Sequence, residues 1–300
     1  MNSPEYSILT LGEYQRLCDR FEKVNDGYFL PDTRIVVRID AHRFGPKWEN
    51  VPDFDYPFDE SIREALIKTA GRLMTLDLRV SYCFIHGDEI SLLLDPLETA
   101  GLRRRAKLVS HVASAGSVFF TEAFGAPVFF RAKVSELPSD RHLLDYFFWQ
   151  RKVARRNYVS RTISQLLTAG GADEVEISKT IAGLTEEGGA ELLAKLGLPI
   201  ESVKSDLLYG IGLYWQVAPT GSQIPFNLIC NRSLPDNDSA YCELISSCIA
   251  GPSYLPELPG LEIPITESAV FKAVSPTKKL SPKALKAGSS VKFRLGSRKG

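Results

Sequence analysis

Cysteine is scarce in this chain. The five present, Cys18, Cys83, Cys230, Cys242 and Cys248, are odd in number and nowhere spaced C-x-x-C, which argues against a disulfide scaffold and against a zinc site. A reducing cytoplasm is the compartment this usage fits. Long apolar runs are missing as well. The longest, Leu108–Phe130, is broken by His111, several serines, Glu122 and Pro127, so a buried helix followed by a strand is expected there, not a membrane span. Met1–Leu30 mixes charged and polar residues without the apolar centre of a secretory signal. No internal repeat is found. Net charge is absent too, since 36 basic residues balance 36 acidic ones. The balance is uneven, however: Phe271–Gly300 holds nine Lys or Arg and no acid, which leaves the chain before it acidic by nine. A basic tail on an acidic body points to a polyanionic partner, with a solvated, disordered terminus as the competing reading.

What is present is enough for one substantial core or two modest ones, at 300 residues and 44% hydrophobic. Two stretches organise it. Arg34–Asp40 is an apolar, β-branched run that stops at an acid. Ser81–Leu94 is two apolar runs broken by Gly87-Asp88-Glu89, the pattern of a tight hairpin. If these strands are neighbours, Asp40 and Asp88 meet at the rim of one sheet. Paired carboxylates of this kind suit Mg²⁺, which keeps several waters and bridges substrate phosphates. Phosphoryl chemistry is therefore expected.

The spacing of Leu11, Tyr14, Leu17, Phe21 and Val24 predicts a helix over Leu9–Val24. Pro46, Pro52 and Pro57 make Gly45–Phe58 a loop. Asp59 is a good N-cap for a helix reaching Met74, and a second helix is expected over 101–120 and a strand over 128–134. The order strand, helix, strand, strand, helix, strand is that of the ferredoxin-like split βαβ unit, an antiparallel α+β sheet with both helices on one face. From Ser139 a long helical pattern runs to a stop at Gly170-Gly171. Two short helices over 177–184 and 188–196 and a closing strand over 207–217 follow. Many prolines then predict an irregular extension grading into the basic tail. The expected organisation is a catalytic unit over 1–135, a helical region over 136–217 that completes it, and the extension over 218–300.

These residues resemble the tRNA-histidine guanylyltransferases and their relatives, the 3′-to-5′ nucleotide-adding polymerases that repair tRNA 5′ ends. The family pattern R-I-D-G-x-x-F is similar to Arg38-Ile39-Asp40-Ala41-His42-Arg43-Phe44, and its S-D-E-Y-S hairpin to Gly87-Asp88-Glu89-Ile90-Ser91. Its K-P-F-D turn resembles Tyr56-Pro57-Phe58-Asp59. Its F-D-x-R-V strand resembles Phe130-Arg131-Ala132-Lys133-Val134, and its W-R-Q-x-D helix Trp149-Gln150-Arg151-Lys152-Val153, with Asn157 beyond. The resemblance spans roughly Arg34 to Tyr214. It implies a polymerase palm and a nucleotidyltransferase in which Asp40 and Asp88 bind two Mg²⁺ ions with the Ala41 carbonyl. The substrates it implies are GTP or ATP and an RNA, tRNA above all. Backbone from Ala41 through His42, Arg43 and Phe44 to Gly45, with Lys47 and Gly87, would hold the nucleotide, and Glu89 is a candidate third acid. A homo-oligomer, dimer or tetramer, is implied too.

An RNA end and a triphosphate need cations around the acids. The candidates are His42, Arg43, Arg104, Lys107, Lys133, Arg151, Arg156 and Lys204, with Asn157 as a polar contact. His86 is read as packed at the rim, and Trp149 with Phe147-Phe148 as core. The chain departs from the family pattern at Ala41 for glycine, Gly87 for serine, Tyr56 for lysine, Arg131 and Val153 for acids and Arg155 for histidine. Two other readings remain open: a nucleotide cyclase, whose G-D-E turn is similar, and a non-catalytic RNA-binding palm.

Overall fold

The computed structural model of the chain describes residues 27–43, 57–76, 78–96, 104–218, 226–249 and 265–267, together with positions 10, 12, 13, 15, 16, 18, 20 and 54. The elements, in order, are β1 (Arg34–Ala41), α1 (Glu60–Met74), β2 (Val80–His86), β3 (Glu89–Leu94), α2 (Arg105–Phe124), β4 (Phe130–Leu137), α3 (Asp140–Ala169), α4 (Glu174–Ala182), α5 (Glu186–Lys195), α6 (Ser205–Tyr209), β5 (Ile211–Val217), β6 (Phe226–Asn231), α7 (Asp238–Ile249) and β7 (Ile265–Glu267). The described positions of the expected N-terminal helix are helical from Gly12 on, with Thr10 outside the helix, while the apolar face named for it, the Gly45–Asp53 part of the loop and the basic tail lie outside the described residues.

One seven-stranded sheet runs through the chain in the order β4-β1-β3-β2-β5-β6-β7. Every pairing is antiparallel except β6 with β7. The first strand thus lies beside the hairpin, as the paired-acid reading requires. Alternation along β1 sorts the two faces. Ile35, Val37, Ile39 and Ala41 point into the larger core with α1 and α2, whose Ile62, Leu66, Ala70, Leu108, Val112 and Phe120 are buried there. Val36 points the other way, against Leu143, Phe147 and Ala154 of α3 and Tyr241 and Ile245 of α7.

The local signals explain most of the boundaries. Asp59 caps α1, its carboxylate accepting from the Ser61 amide at 2.9 Å. The helix expected over 101–120 runs four residues further at its C-terminal end because Gly125, at φ 81°, supplies the left-handed residue that ends it. The strand expected to end at Val134 continues to Leu137 because β1 pairs with it back to Arg34. Glu89, expected in the turn, is the first residue of β3. Gly87 and Asp88 form the two-residue turn alone, with φ 55° at Gly87.

The expected strand over 207–217 begins later, because α6 occupies Ser205–Tyr209 and Gly210 breaks the chain at φ 79°. The irregular extension is the largest correction. Within it β6, α7 and β7 are regular, adding strands to the sheet and covering its second face. Its prolines fall almost wholly between these elements, so punctuation reads as irregularity when the strands between are short. An ionic cluster ties this extension to α1: Arg232, just after β6, meets Glu60 and Glu64, while Arg63 donates to Asp206 at 3.0 Å.

Gly210 has the tightest backbone requirement. A Cβ there would stand 2.5 Å from the Phe84 ring and 2.8 Å from the Ile85 carbonyl oxygen, whereas at Gly87 the nearest atom is 3.9 Å away. Gly210→Ala is expected to destabilise the fold by about 3 kcal/mol and Gly87→Ala by about 1 kcal/mol, by chemical denaturation. Equal costs at the two positions would contradict this packing.

Candidate active site

The rim of the sheet is where β1 ends and the β2–β3 hairpin turns. Asp40 sits opposite Glu89 on one side and Arg131 on the other. The Ala41 amide donates to the Asp88 carbonyl at 3.3 Å, which fixes the turn against the end of β1. Asp40 and Asp88, distant in sequence, are thereby brought to one edge. Beyond it the chain turns at His42 and Arg43, both exposed, with the His42 amide donating to the Phe129 carbonyl at 2.7 Å. Arg43 adopts φ 50°, a left-handed conformation uncommon for a residue with a Cβ.

Asp40 belongs to the face of β1 that carries Arg38, the face away from α1 and α2. The residue is 8% exposed, and its carboxylate is held by Arg131, whose Nε and Nη2 both donate to Oδ1, at 2.9 and 2.5 Å. Arg38 reaches Glu89 at 3.4 Å and lies over the Trp149 ring, 5.6 Å from its centre. Lys133, opposite Arg38 on β4, is exposed. This end of the face therefore carries Asp40 and Glu89 interleaved with Arg38, Arg131 and Lys133, and it opens outward past β1 and β4.

Behind Glu89 is a hydrogen-bonded support. His86 Nε2 bonds to Gln150 Oε1 at 2.9 Å and lies 3.4 Å from the Glu89 carboxylate. The Gln150 amide nitrogen donates to Tyr146 Oη at 2.9 Å, and Tyr146 Oη lies 3.4 Å from Ser91 Oγ. Burial pushes the Glu89 carboxyl up, but the His86 hydrogen bond and the charges of His86, Arg38 and Lys133 outweigh it, and the net displacement is downward.

The other sequence candidates are more scattered. Arg104 and Lys107 stand at the start of α2, on the opposite face and toward the far end of β1, where the neighbouring Arg105 meets Glu136. Arg151, offered as an RNA contact, is instead buried, stacked on Tyr241 at 4.4 Å and donating to the Asp236 carbonyl at 2.9 Å. Lys204 joins the Glu60 cluster, 4.0 Å from that carboxylate. Arg156 and Asn157 are exposed on α3. Arg156 lines a cavity of about 490 Å³ between α3, α4 and α5 with Trp149, Lys152, Arg155, Ser160 and Thr185. Phe44, Gly45, Lys47 and Tyr56 lie outside the described residues.

His86 is buried at the rim, as read, and Phe147 is core, but Trp149 is half exposed over Arg38. Sequence reasoning passed over Arg38, Tyr146 and Gln150. Arg38 had a signal, a charged residue inside an apolar strand two positions before Asp40. The roles of Tyr146 and Gln150 depend on where α3 crosses the sheet.

Residues 14–140 match the family described as tRNAHis guanylyltransferase. Over that span the chain is similar to this family. A tRNA(His) guanylyltransferase of Debaryomyces hansenii is 27% identical over 191 residues, 59% of this chain and 70% of the yeast protein. The crystal structure of the tRNA(His) guanylyltransferase from Saccharomyces cerevisiae aligns with TM-score 0.60 at 20% identity, covering 68% of this chain and 93% of that one. A bacterial tRNA(His) guanylyltransferase-like protein, solved in complex with ATP, aligns with TM-score 0.57 at 18% identity over 69% of this chain and 87% of that one. A structure of such a protein in complex with GTP aligns with the same score at 15% identity, over 78% and 96%. These likenesses establish the mixed α+β fold.

Within the family frame, Arg131 stands out because it sits where the family pattern places an acid. Among the described residues no cluster of three or more His, Cys, Asp or Glu surrounds one point. A divalent ion at the rim could use Asp40 and Asp88 as hard oxygen donors, with water and phosphate oxygens completing its shell. Both Arg131 hydrogen bonds fall on Oδ1 of Asp40, leaving Oδ2 without a hydrogen-bond partner among the described residues. The donors fit a divalent ion, with a competing cation beside them.

The lowered Glu89 carboxyl makes stability depend on pH in a definite sense. A carboxyl whose folded value lies below its unfolded one, about 4.3 for Glu, contributes stability above that pH and loses it as pH falls through the folded value. Glu89→Gln should therefore be less stable than wild type at pH ~6, with the gap closing toward pH ~3, in urea unfolding at both. A gap of the same size at both pH values would show that ionised Glu89 is not what this network holds.

Proposed function

We propose that this chain is a nucleotidyltransferase that adds nucleotides to the 5′ end of tRNA or a related RNA, growing it in the 3′-to-5′ direction. The observation that carries this reading is the placement of Asp40 and Asp88 at one sheet rim, tied by the Ala41 amide to the Asp88 carbonyl, within the span that matches the family. The sheet, with β1 beside the β2–β3 hairpin, is then a polymerase palm. GTP or ATP is the nucleotide, in line with the complexes named for the bacterial relatives.

In this reading Asp40 and Asp88 hold two Mg²⁺ ions. Bound there, the ions supply activation of the attacking 3′ hydroxyl and neutralisation of the leaving phosphates. The remaining work falls to side chains. Arg38 and Lys133 keep the face between β1 and β4 positive where two polyanions must approach each other, the RNA end and the triphosphate. The His86–Gln150–Tyr146 support holds Glu89 in its ionised form beside them. Half-exposed Trp149 offers a ring for a base to stack on, and Lys152, Arg155 and Arg156 extend the cationic surface along α3 toward an RNA backbone. A new bond forms between the 3′ oxygen of the nucleotide and the activated 5′ phosphorus of the RNA, and the activating phosphates leave.

No helix among the described residues is long and apolar enough to cross a membrane. A cytoplasmic enzyme assembling as a dimer or tetramer completes the proposal.

Transfer of label from α-labelled GTP, with Mg²⁺ and a tRNA, separates the readings. Label in RNA is expected from the wild type. A labelled cyclic product would mean a cyclase, and no transfer an RNA-binding palm without catalysis. Asp40→Ala and Asp88→Ala are each expected to reduce transfer at least a hundredfold while the circular dichroism spectrum stays unchanged, a loss of the order that removal of a charge-stabilising group causes. Near wild-type turnover in either variant would overturn the site assignment.

A further inference from the structure

The cation on Asp40 is part of the protein. Arg131 sits directly opposite Asp40 in the β1–β4 ladder, and its guanidinium reaches Oδ1 through two nitrogens. The two ends of this pair differ in freedom. Asp40 is nearly enclosed, its side chain 11% exposed, while the Arg131 side chain is 58% exposed on an edge strand with no neighbour beyond it among the described strands. The arginine can therefore swing into solvent without disturbing the core, and the carboxylate cannot follow it. A buried carboxylate left alone is costly, so Asp40 needs a positive partner at all times. A guanidinium offers one without a bound ion.

We infer that Arg131 is a built-in stand-in cation, which occupies Asp40 until a divalent ion arrives and must be displaced for the ion to bind. This rests on the reading of Asp40 as an ion ligand. The carboxylate keeps a cation throughout: the singly charged guanidinium, repelled by the doubly charged ion arriving beside it, leaves Oδ1 and the ion takes its place. The consequence is weaker binding of the free ion than the same two acids would give without the arginine. A second consequence is that the empty site stays stable. Removing Arg131 should thus have opposite effects on the two properties, tightening ion binding and loosening the ion-free fold, which a purely structural surface arginine would not do.

The test is Mn²⁺ binding to the full-length chain, read from the loss of the free-ion electron paramagnetic resonance signal, for wild type, Arg131→Ala, Arg131→Gln and Asp40→Asn. Both Arg131 variants are expected to bind Mn²⁺ about tenfold more tightly than wild type, the order of one charge-assisted hydrogen-bonded pair removed. Asp40→Asn should bind most weakly. Thermal unfolding without metal should show both Arg131 variants below wild type, and saturating Mn²⁺ should stabilise them more than it stabilises wild type. Unchanged Mn²⁺ affinity in both Arg131 variants, with binding lost in Asp40→Asn, would overturn the stand-in role and leave the ion site standing. Unchanged affinity in Asp40→Asn would overturn the ion-ligand reading and this inference with it.

Discussion

The antiparallel register between β1 and β3 is the constraint on which the site depends. Side chains alternate across a strand, so shifting this pairing by one residue would send Asp40 to the packed face against α1 and α2 and bring Ile39 out in its place. The register is held from both sides. Ile35, Val37 and Ile39 fill one core and Val36 fills the other, and the two-residue turn at Gly87-Asp88 sets where β3 begins. Given that register, the strand-end acid and the hairpin acid lie at one rim of the sheet.

The two faces of the sheet divide the work. The face under α1 and α2 is apolar and continuous from β1 to β6, and it supplies most of the buried core. The other face is only partly roofed. The first half of α3 and α7 cover its centre and reach Arg38 through Trp149, while β4 presents Arg131 and Lys133 exposed beyond that cover. α3 links the open end to the rest: Gln150 and Tyr146 brace the rim, Trp149 borders it, and further along Val159 and Ile163 pack against Leu193 of α5. A single helix of 30 residues thus sets both the support behind Glu89 and the cationic cavity beside it. The charge-bearing residues are placed by elements whose apolar contacts lie elsewhere, which lets the site carry unfavourable crowding of like charges.

Much of this was legible in the sequence because its signals are local. A β-branched run ending in an acid, a Gly-Asp turn between apolar strands and an Asp cap ahead of a helical stripe need no knowledge of distant contacts. The rest depends on contacts between residues far apart. Arg151 read as a surface cation because it lies in a run of charged residues, and it is buried because α7 and Tyr209 close over that turn of α3. Arg104 and Lys107 belong to a basic cluster, but the cluster starts a helix that packs on the wrong face for the acids. The strands after Val217 are short and bounded by prolines, so their membership in the sheet shows only when β5 is there to pair with them. Arg131 was visible as a departure from the family pattern, while its hold on Asp40 follows from the β1–β4 register.

The central claim is that Asp40 and Asp88 together grip divalent ions at the rim. Anomalous diffraction from crystals soaked with Mn²⁺ and GTP tests it most directly. The account predicts a Mn²⁺ peak within about 2.3 Å of a carboxylate oxygen from each of the two aspartates, with the Arg131 guanidinium moved off Oδ1. A peak bound elsewhere, or one touching neither carboxylate while Arg131 keeps its place, would contradict it.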